Sequence, residues 1–295
     1  MNFEEFQDYI KQHVLENWME HAEVSISSVR KNNGVIYQAL HIREEGESVS
    51  PSLYLDDYYD YYLKGEELDA ILKRIREEYV WAMDKAESYQ INLSRFEYIR
   101  DRVIYRLVNY EKNKEILEDC PHIRLYDLAV TFRWLAHSDE IGISTALITK
   151  QELKLWDISL HELLLAAEKN TRRLFPPRIM DLNSLLMQLG KDPNEFEVLV
   201  PMYVMTNEQQ INGATVLLYD NVIREFASRL DTSLFILPSS IHEVILVPAY
   251  EFDDPSGLVE LVKEANHSIV ALGDILSDSV YYYDVEKDKM FPVKE

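Results

Sequence analysis

The amino-acid sequence predicts an α+β protein, in which a small helix–hairpin–helix subdomain precedes a larger domain of mainly antiparallel or mixed sheet with packed helices. Three observations predict this class. Apolar residues recur at helical spacing early in the chain, an Asn-Gly pair joins two strand-like runs, and short apolar runs later alternate with helical patterns. A polar segment at residues 87–92 separates the two patterns. We therefore expect domains of residues 1–92 and 93–295.

The first domain begins with an amphipathic helix. Its apolar face repeats at intervals of three and four residues: Phe3, Phe6, Ile10, Val14 and Trp18. Two strands are expected next, over residues 24–29 and 35–42. Their connection contains Asn33-Gly34, and both of these residues tolerate the positive φ angles that a hairpin turn requires.

A tyrosine-rich segment, residues 54–62, follows this hairpin, and Gly65 lies just beyond its end. Its five tyrosines have helical spacing, which is typical of packing residues whose hydroxyls reach water. The alternative is a binding surface, and Tyr54 is our candidate residue for it. A further helix is expected from Leu68 to Ala82, because apolar residues again fall on one face.

Strands with intervening helices are predicted for the second domain. The expected strands cover residues 98–109, 125–135, 141–149, 196–205, 214–219, 234–237, 243–248, 280–284 and 290–293. The expected helices cover residues 159–171, a short segment after Pro176-Pro177, 221–230 and 255–267. The first of these helices has the clearest start, because Ser159 and Glu162 have the spacing of a capping box.

Residues 128–156 and 199–227 share an apparent strand–turn–strand–helix order when Gly142 is aligned with Gly213. Two explanations remain open. The second domain contains tandem strand–strand–helix units, or two ordinary α/β patterns coincide by chance.

The charge of the chain is strongly acidic, with 52 acidic and 30 basic residues and a net charge of -22. Such a charge repels phosphate backbones, so we expect negligible binding to nucleic acid. Two local basic clusters stand out, and solvated faces with ion pairs are their simplest interpretation. They comprise Arg95, Arg100, Arg102 and Arg106, and Arg172, Arg173 and Arg178.

Cofactor and compartment signals are few. The chain has 8 glycines and contains neither GxxxxGKS/T nor GxGxxG, which argues against common nucleotide-dependent enzymes, and we expect no cofactor. Its single cysteine, Cys120, excludes an intrachain disulfide and fits a reducing compartment. The amino terminus resembles no export signal, and no apolar run approaches the roughly 20 residues that a membrane span needs. We therefore expect a cytoplasmic protein without a membrane partner.

A compact polar insert interrupts the apolar stretch from residue 234 to residue 248. It contains Pro238, Ser239, Ser240, His242 and Glu243. Polar side chains at a strand junction need hydrogen-bond partners or a function. One interpretation is a structural turn, in which the serines bond local backbone groups while the histidine and glutamate fix the returning strand. The other is a hydrolase site built from the two serines, His242 and Glu243.

The motifs that would establish catalysis are missing. Both His-Glu pairs, at residues 161 and 242, lack the second histidine of HExxH, so no metal site is expected. No GxSxG segment is present to expose a serine. We therefore expect a non-enzymatic cytosolic binding module for a protein or a small ligand, with a hydrolase as the alternative. Our candidate binding surface comprises Tyr54, Asn207, Pro238 and His242.

Several segments together carry a resemblance: Lys31–Gly34, Pro51–Leu55, Met202–Asn207, Asn212–Ala214, Leu237–Glu243 and Leu276–Asp278. They resemble an uncharacterised clostridial family, domain-of-unknown-function family 5688. The segment Leu237–Glu243, LPSSIHE, is the most specific of them. The resemblance implies a bacterial, cytoplasmic protein and no particular chemistry. The latter two-thirds of the chain is also similar, in its order of elements, to domain-of-unknown-function family 1444, which again implies no activity.

Overall fold

The computed structural model describes residues 1–18, 22–43, 51–88, 93–138, 143–188, 190, 200–238, 240–252 and 254–293. The chain divides into two compact units, Met1–Gln90 and Ile91–Glu295. Antiparallel sheets and packed helices build both units, so the predicted α+β class is confirmed. The predicted boundary at residue 92 lies outside the described residues. No helix in the described ranges is both long and apolar enough to cross a membrane.

The first unit places three helices around a three-stranded antiparallel sheet of order β1-β2-β3. Its elements are α1 (Phe3–Asn17), β1 (Glu23–Arg30), β2 (Ile36–Arg43), β3 (Ser52–Tyr54), α2 (Leu55–Leu63) and α3 (Leu68–Ser88). The opening helix and both predicted strands are confirmed, whereas β3 was not predicted. Asn33 and Gly34 have φ angles of 57° and 75°, as the hairpin signal requires. The connection is longer than a two-residue turn because it includes the 3-10 turn Asn32–Gly34.

Apolar side chains that the helical spacing identified form the core of this unit. Phe6, Ile10 and Val14 are completely buried in it. Tyr58 of α2 is buried as well, and its hydroxyl donates a hydrogen bond to Glu78. The packing interpretation of the tyrosine-rich segment therefore applies to this residue.

The second unit contains ten strands and seven α-helices within the described residues. Its strands are β4 (Val103–Asn109), β5 (His122–Leu125), β6 (Leu128–Ser138), β7 (Ile143–Leu147), β8 (Pro177–Asp181), β9 (Tyr203–Asn207), β10 (Leu234–Leu237), β11 (Val244–Pro248), β12 (Tyr281–Asp284) and β13 (Lys289–Pro292). Its helices are α4 (Phe96–Ile99), α5 (Lys114–Asp119), α6 (Lys150–Trp156), α7 (Leu160–Leu174), α8 (Leu182–Gln188), α9 (Val222–Leu230) and α10 (Ser256–Ser268).

Two antiparallel sheets organise the second unit. A six-stranded sheet has the order β13-β12-β10-β11-β9-β8. In a four-stranded sheet, β4 pairs with one edge of β6, while β5 and β7 share the other. One large apolar cluster joins the two sheets and helix α7, with members such as Phe132, Leu163 and Leu246. Helix α7 begins at the predicted capping box, in which Ser159 and Glu162 bond each other's backbone N–H groups.

Some predictions for the second unit are wrong. Residues 98–102 end α4 and form a 3-10 turn, so the strand there begins only at Val103. The strand expected at 214–219 is instead the 3-10 helix Gly213–Leu218. The 3-10 helix forms there because the backbone at Gly213 closely approaches Thr206 and His242. This 3-10 helix occupies the position in the second of the expected tandem units that strand β7 occupies in the first. Gly142 and residues 196–199 lie outside the described residues.

Candidate functional site around His242

The polar insert connects two paired strands of the six-stranded sheet. Strands β10 and β11 are antiparallel, and Leu237 faces Ile245 at the end of the ladder. Both strands were predicted, and residues 238–243 form the connection between them. Pro238 is buried directly after β10. Ser239, one of the candidate nucleophiles, lies outside the described residues.

Ser240 stabilises the insert through hydrogen bonds to other residues of the insert. Its hydroxyl donates to the carboxylate of Glu243 at 2.7 Å and accepts from the backbone N–H of His242 at 3.0 Å. Its own N–H donates to the carbonyl of Glu243 at 3.2 Å. The residue is only 6% exposed. Local side-chain bonds of this kind stabilise a turn, and they leave the hydroxyl already engaged as donor and acceptor.

The imidazole of His242 is held between two segments that are distant in the sequence. Its Nδ1 accepts the backbone N–H of Asn212 at 3.2 Å. Its Nε2 lies 3.5 Å from Oδ1 of Asp274, and the side chain is 34% exposed. An accepting Nδ1 carries no proton, so the neutral ring carries its proton on Nε2, on the side of Asp274. Both nitrogens of the ring are thus directed at protein groups.

The backbone of the insert is also bonded on both sides. The carbonyl of His242 accepts the hydroxyl of Thr206 at 2.7 Å, which joins the insert to β9. The carbonyl of Ile241 accepts the N–H of Ala214 at 3.2 Å, and its N–H donates to the carbonyl of Asp274 at 2.8 Å. The insert is therefore a junction between β9, the 3-10 helix and the turn at Asp274.

Gly213 permits this junction because it lies directly beneath the insert. A β-carbon at this position would lie 2.0 Å from Oγ1 of Thr206 and 2.4 Å from the carbonyl oxygen of His242. Only glycine leaves room for such an approach. The segments Asn212–Ala214 and Leu237–Glu243 thus meet in the structure. This contact explains why the apolar run after Gly213 turns into a 3-10 helix.

Two further members of the candidate binding surface lie in different units, Asn207 in the second and Tyr54 in the first. Asn207 is 1% exposed, and its amide bonds both backbone groups of Ile211, which closes the loop before Gly213. It therefore belongs to the same junction as His242. Tyr54 belongs to the first unit, where its hydroxyl accepts a hydrogen bond from Lys31 and its ring packs 5.4 Å from that of Tyr37.

The segment Leu276–Asp278 is anchored by a second polar network. Asp127, in the turn between β5 and β6, accepts the hydroxyl of Ser277 at 2.5 Å and that of Tyr281. Burial and the neighbouring carboxylate raise the pKa of Tyr281, so this hydroxyl remains a donor. Asn109 of β4 donates to the carbonyl of Leu276 at 3.0 Å. These bonds position the chain around Asp274 along the edge of the four-stranded sheet.

Asp274 connects the insert electrostatically to Arg106 in β4 of the four-stranded sheet. Arg133 in β6 is a further charge that acts on the same guanidinium. Burial and, to a lesser extent, the charge of Arg133 lower the pKa of Arg106 to about 9, and Asp274 partly opposes both effects. The side chains of Arg106, Arg133, His242 and Asp274 thus come from four separate segments.

Sequence reasoning missed part of this constellation. Arg106 appeared only as a member of a basic cluster expected to be solvated, and that interpretation is wrong for it because its Nε is buried. A usable signal was present, since Arg106 and Arg133 each interrupt an otherwise apolar strand. Asp274 carries no comparable signal in its local sequence.

Among the described residues, no three His, Cys, Asp or Glu side chains are grouped closely enough to hold a metal ion. A cavity of about 620 Å³ is lined by Lys112 and by residues of the segment 263–278, among them Asn266 and Asp278. His242 does not line it.

A comparison with protein-family models relates the chain to a known family. The model of a family of unknown function, DUF5688, matches residues 3–285. No curated protein and no solved structure matches the chain.

Proposed function

Because the chain belongs to DUF5688, a family of unknown function, we propose from its geometry that it is a non-enzymatic cytosolic binding module that recognises a protein or a small ligand. One observation carries this proposal. The described candidate catalytic groups of the LPSSIHE segment, Ser240, His242 and Glu243, are bonded to the fold itself, in a turn that joins three parts of the second unit.

A serine hydrolase needs a different arrangement. Its histidine accepts the proton of the nucleophilic hydroxyl through one nitrogen and is oriented through the other. In this protein the Ser240 hydroxyl donates to Glu243, while Nδ1 of His242 accepts a backbone N–H. The nitrogen that faces Asp274 carries the proton, so neither nitrogen is placed to act as a general base toward Ser240.

A hydrolase is the second candidate, and one contact favours it. His242 lies 3.5 Å from Asp274, and a histidine paired with a carboxylate from a distant segment is half of a catalytic triad. In this alternative Ser239 or Ser240 supplies the nucleophile, and Glu243 assists. It requires the imidazole to release the Asn212 N–H before it can accept a proton from either serine.

Active-site labelling separates the two proposals. The purified wild type, Ser239→Ala, Ser240→Ala and His242→Ala would be treated with a fluorophosphonate probe, which reacts with activated serines. We expect no labelling of folded wild type above that of the alanine variants. Labelling of the wild type that disappears in one serine variant and in His242→Ala would establish the hydrolase instead.

Binding itself would be tested by a pull-down from native cells. Wild type and His242→Ala would serve as bait, with thermal melts of both run beside the pull-down. Because the insert is bonded internally, we expect captured partners to be lost only to the extent that the variant unfolds. A variant with a wild-type melting temperature and no captured partner would place the binding site at His242 itself.

A further inference from the structure

We propose that a cavity at the end of helix α10 binds a free α-amino acid with an apolar side chain. This inference names the small ligand of the binding function proposed above and in that respect rests on it. The cavity, which we call the α10 cavity, has a volume of about 620 Å³, within the range of roughly 300–1,000 Å³ that is typical of small-molecule sites. Neither Ser240 nor His242 lines it, so it is a different surface from the polar insert.

Three stretches of chain form the α10 cavity. They are the last turns of α10, the following segment 270–278, and the 3-10 turn Glu111–Asn113 after β4. The side chain of Asn109 joins the last two, because it donates to the carbonyl of Leu276 at 3.0 Å and accepts the N–H of Lys112 at 2.9 Å. The fold therefore holds these walls in place before a ligand binds, which lowers the cost of binding.

Two opposite charges face each other at the α10 cavity. Nζ of Lys112 lies 3.7 Å from Oδ2 of Asp278, which is too long for a hydrogen bond. The two side chains are 31% and 50% exposed, so both remain open to solvent. An exposed ion pair at this distance contributes little to the stability of the fold. The pair is therefore available to a ligand that carries both charges.

An α-amino acid matches this ion pair. Its ammonium and carboxylate are attached to one carbon atom, so they can lie beside two partners that are 3.7 Å apart. The ammonium then binds Asp278, the carboxylate binds Lys112, and the four charges alternate in sign. A peptide separates its terminal charges by at least one peptide unit and matches the pair less well. Since a zwitterion has no net charge, the net charge of -22 on the chain does not repel it.

Asn266 favours the ammonium end of the ligand. This residue lines the cavity and is 5% exposed. Its Nδ2 donates to the carbonyl of Ser277 and to Oδ1 of Asp278, both at 2.8 Å, which fixes the carboxylate at the cavity. The Oδ1 of the same amide is buried and makes no hydrogen bond within the described residues. Such an acceptor makes its surroundings more negative, which favours a cation in the adjoining cavity.

The apolar side of the α10 cavity selects the side chain of the ligand. Val270, Leu272 and Ile275 line this side, and Leu272 is exposed to solvent. A ligand side chain that covers Leu272 removes apolar surface of both molecules from water. Glycine offers no such side chain, so it should bind at least about tenfold more weakly than leucine.

Thermal melts of the full-length protein would test the proposal, with L-leucine as the probe over a concentration series. Four comparison compounds each lack one feature: glycine the apolar side chain, isoamylamine the carboxylate, isocaproate the ammonium, and leucylglycine the close spacing of the two charges. Because Lys263 and His267 also line the cavity, a plain carboxylate is the competing ligand, and isocaproate represents it.

We expect a saturable increase in melting temperature with L-leucine, because a ligand that binds only the folded state stabilises it. Each of the four comparison compounds should bind at least about tenfold more weakly, since each loses a charged or an apolar contact. Absence of a saturable increase with L-leucine, or isocaproate that binds as tightly as L-leucine, would overturn the inference.

Variants locate the site. Asp278→Asn keeps an acceptor for Asn266 but removes the negative charge, so it should abolish the leucine-dependent increase. Lys112→Met should weaken leucine binding at least about tenfold, because the carboxylate loses its partner. Lys73→Met is the matched control, since Nζ of Lys73 also lies 3.7 Å from a carboxylate, that of Glu77 in the first unit. Wild-type affinity in either Asp278→Asn or Lys112→Met would refute the assignment.

A direct measurement covers the case in which the variants do not fold. In ¹⁵N-labelled wild type, the side-chain amide resonance of Asn266 should shift saturably with L-leucine, and an unchanged resonance would contradict the proposal. The two proposals can fail separately. Serine labelling together with intact leucine binding would refute the non-enzymatic function and leave this site standing. Absence of both would refute this site and leave a binding module whose ligand lies elsewhere.

Discussion

Replacing Gly213 by alanine is expected to destabilise the second unit by about 2–6 kcal/mol. The new methyl group would lie 2.0 Å from Oγ1 of Thr206, 2.4 Å from the carbonyl oxygen of His242 and 2.8 Å from the backbone nitrogen of Asn207. Ordinary contact with a carbon atom begins at about 3.5 Å, so these atoms must retreat by about 0.7 Å to about 1.5 Å. Two of the three belong to the backbone and cannot rotate away.

The expected loss of stability has two contributions. Forcing extra volume into a packed site costs about 1–3 kcal/mol. Moving Thr206 away from the His242 carbonyl also breaks their 2.7 Å hydrogen bond, and an orphaned buried polar group costs about 1–3 kcal/mol. Gly257 is the matched control, because a β-carbon there meets nothing within 4 Å. Since Gly257 lies within α10, Gly257→Ala should raise stability by roughly 0.5–1 kcal/mol.

Urea denaturation followed by tryptophan fluorescence would measure both variants. Trp18 and Trp81 belong to the first unit and would be replaced by phenylalanine, so that Trp134 and Trp156 report on the second unit alone. We expect the midpoint of Gly213→Ala to fall sharply while that of Gly257→Ala stays level or rises. If Gly213→Ala loses less than about 1 kcal/mol, the close approach of these two segments does not constrain the fold as argued.

Three further predictions concern the second unit. His242→Ala should lower the free energy of unfolding in urea by about 1–3 kcal/mol, because the backbone N–H of Asn212 loses its acceptor. His161 is exposed, so His161→Ala should leave stability unchanged, and equal effects of the two changes would contradict the assigned contact. Burial raises the pKa of the Cys120 thiol to about 11, so a disulfide reagent should modify it only in the unfolded protein, and rapid labelling of the native state would contradict its burial. Hydrogen bonds from Ser159 lower the pKa of Glu162. The stability that this carboxylate contributes should therefore be complete above the ordinary pKa of a glutamate and should be lost as the pH falls through the lowered pKa. Acid denaturation of Glu162→Gln should show a weaker pH dependence over that range.

The sequence by itself determined those helices and strands whose stabilising interactions lie between residues close together in the chain. Helix α1 follows from the spacing of Phe6, Ile10 and Val14, and the start of α7 follows from a capping box whose two members are three positions apart. Strands β10 and β11 follow from apolar runs on either side of Pro238. In each case the interactions that select the structure lie within a few residues of one another, so the pattern is visible along the chain.

The tertiary structure alone decided the rest. The apolar run after Gly213 has the composition of a strand, yet it forms a 3-10 helix because the insert at His242 packs against it. The approach of His242 to Asp274 depends on contacts between distant segments, and the position of Arg106 and Arg133 on one face of β4 and β6 depends on sheet register. Local propensity is worth a fraction of a kcal/mol per residue, whereas a buried contact or an orphaned polar group is worth several times more. Long-range packing therefore overrides local preference at the points where the segments meet.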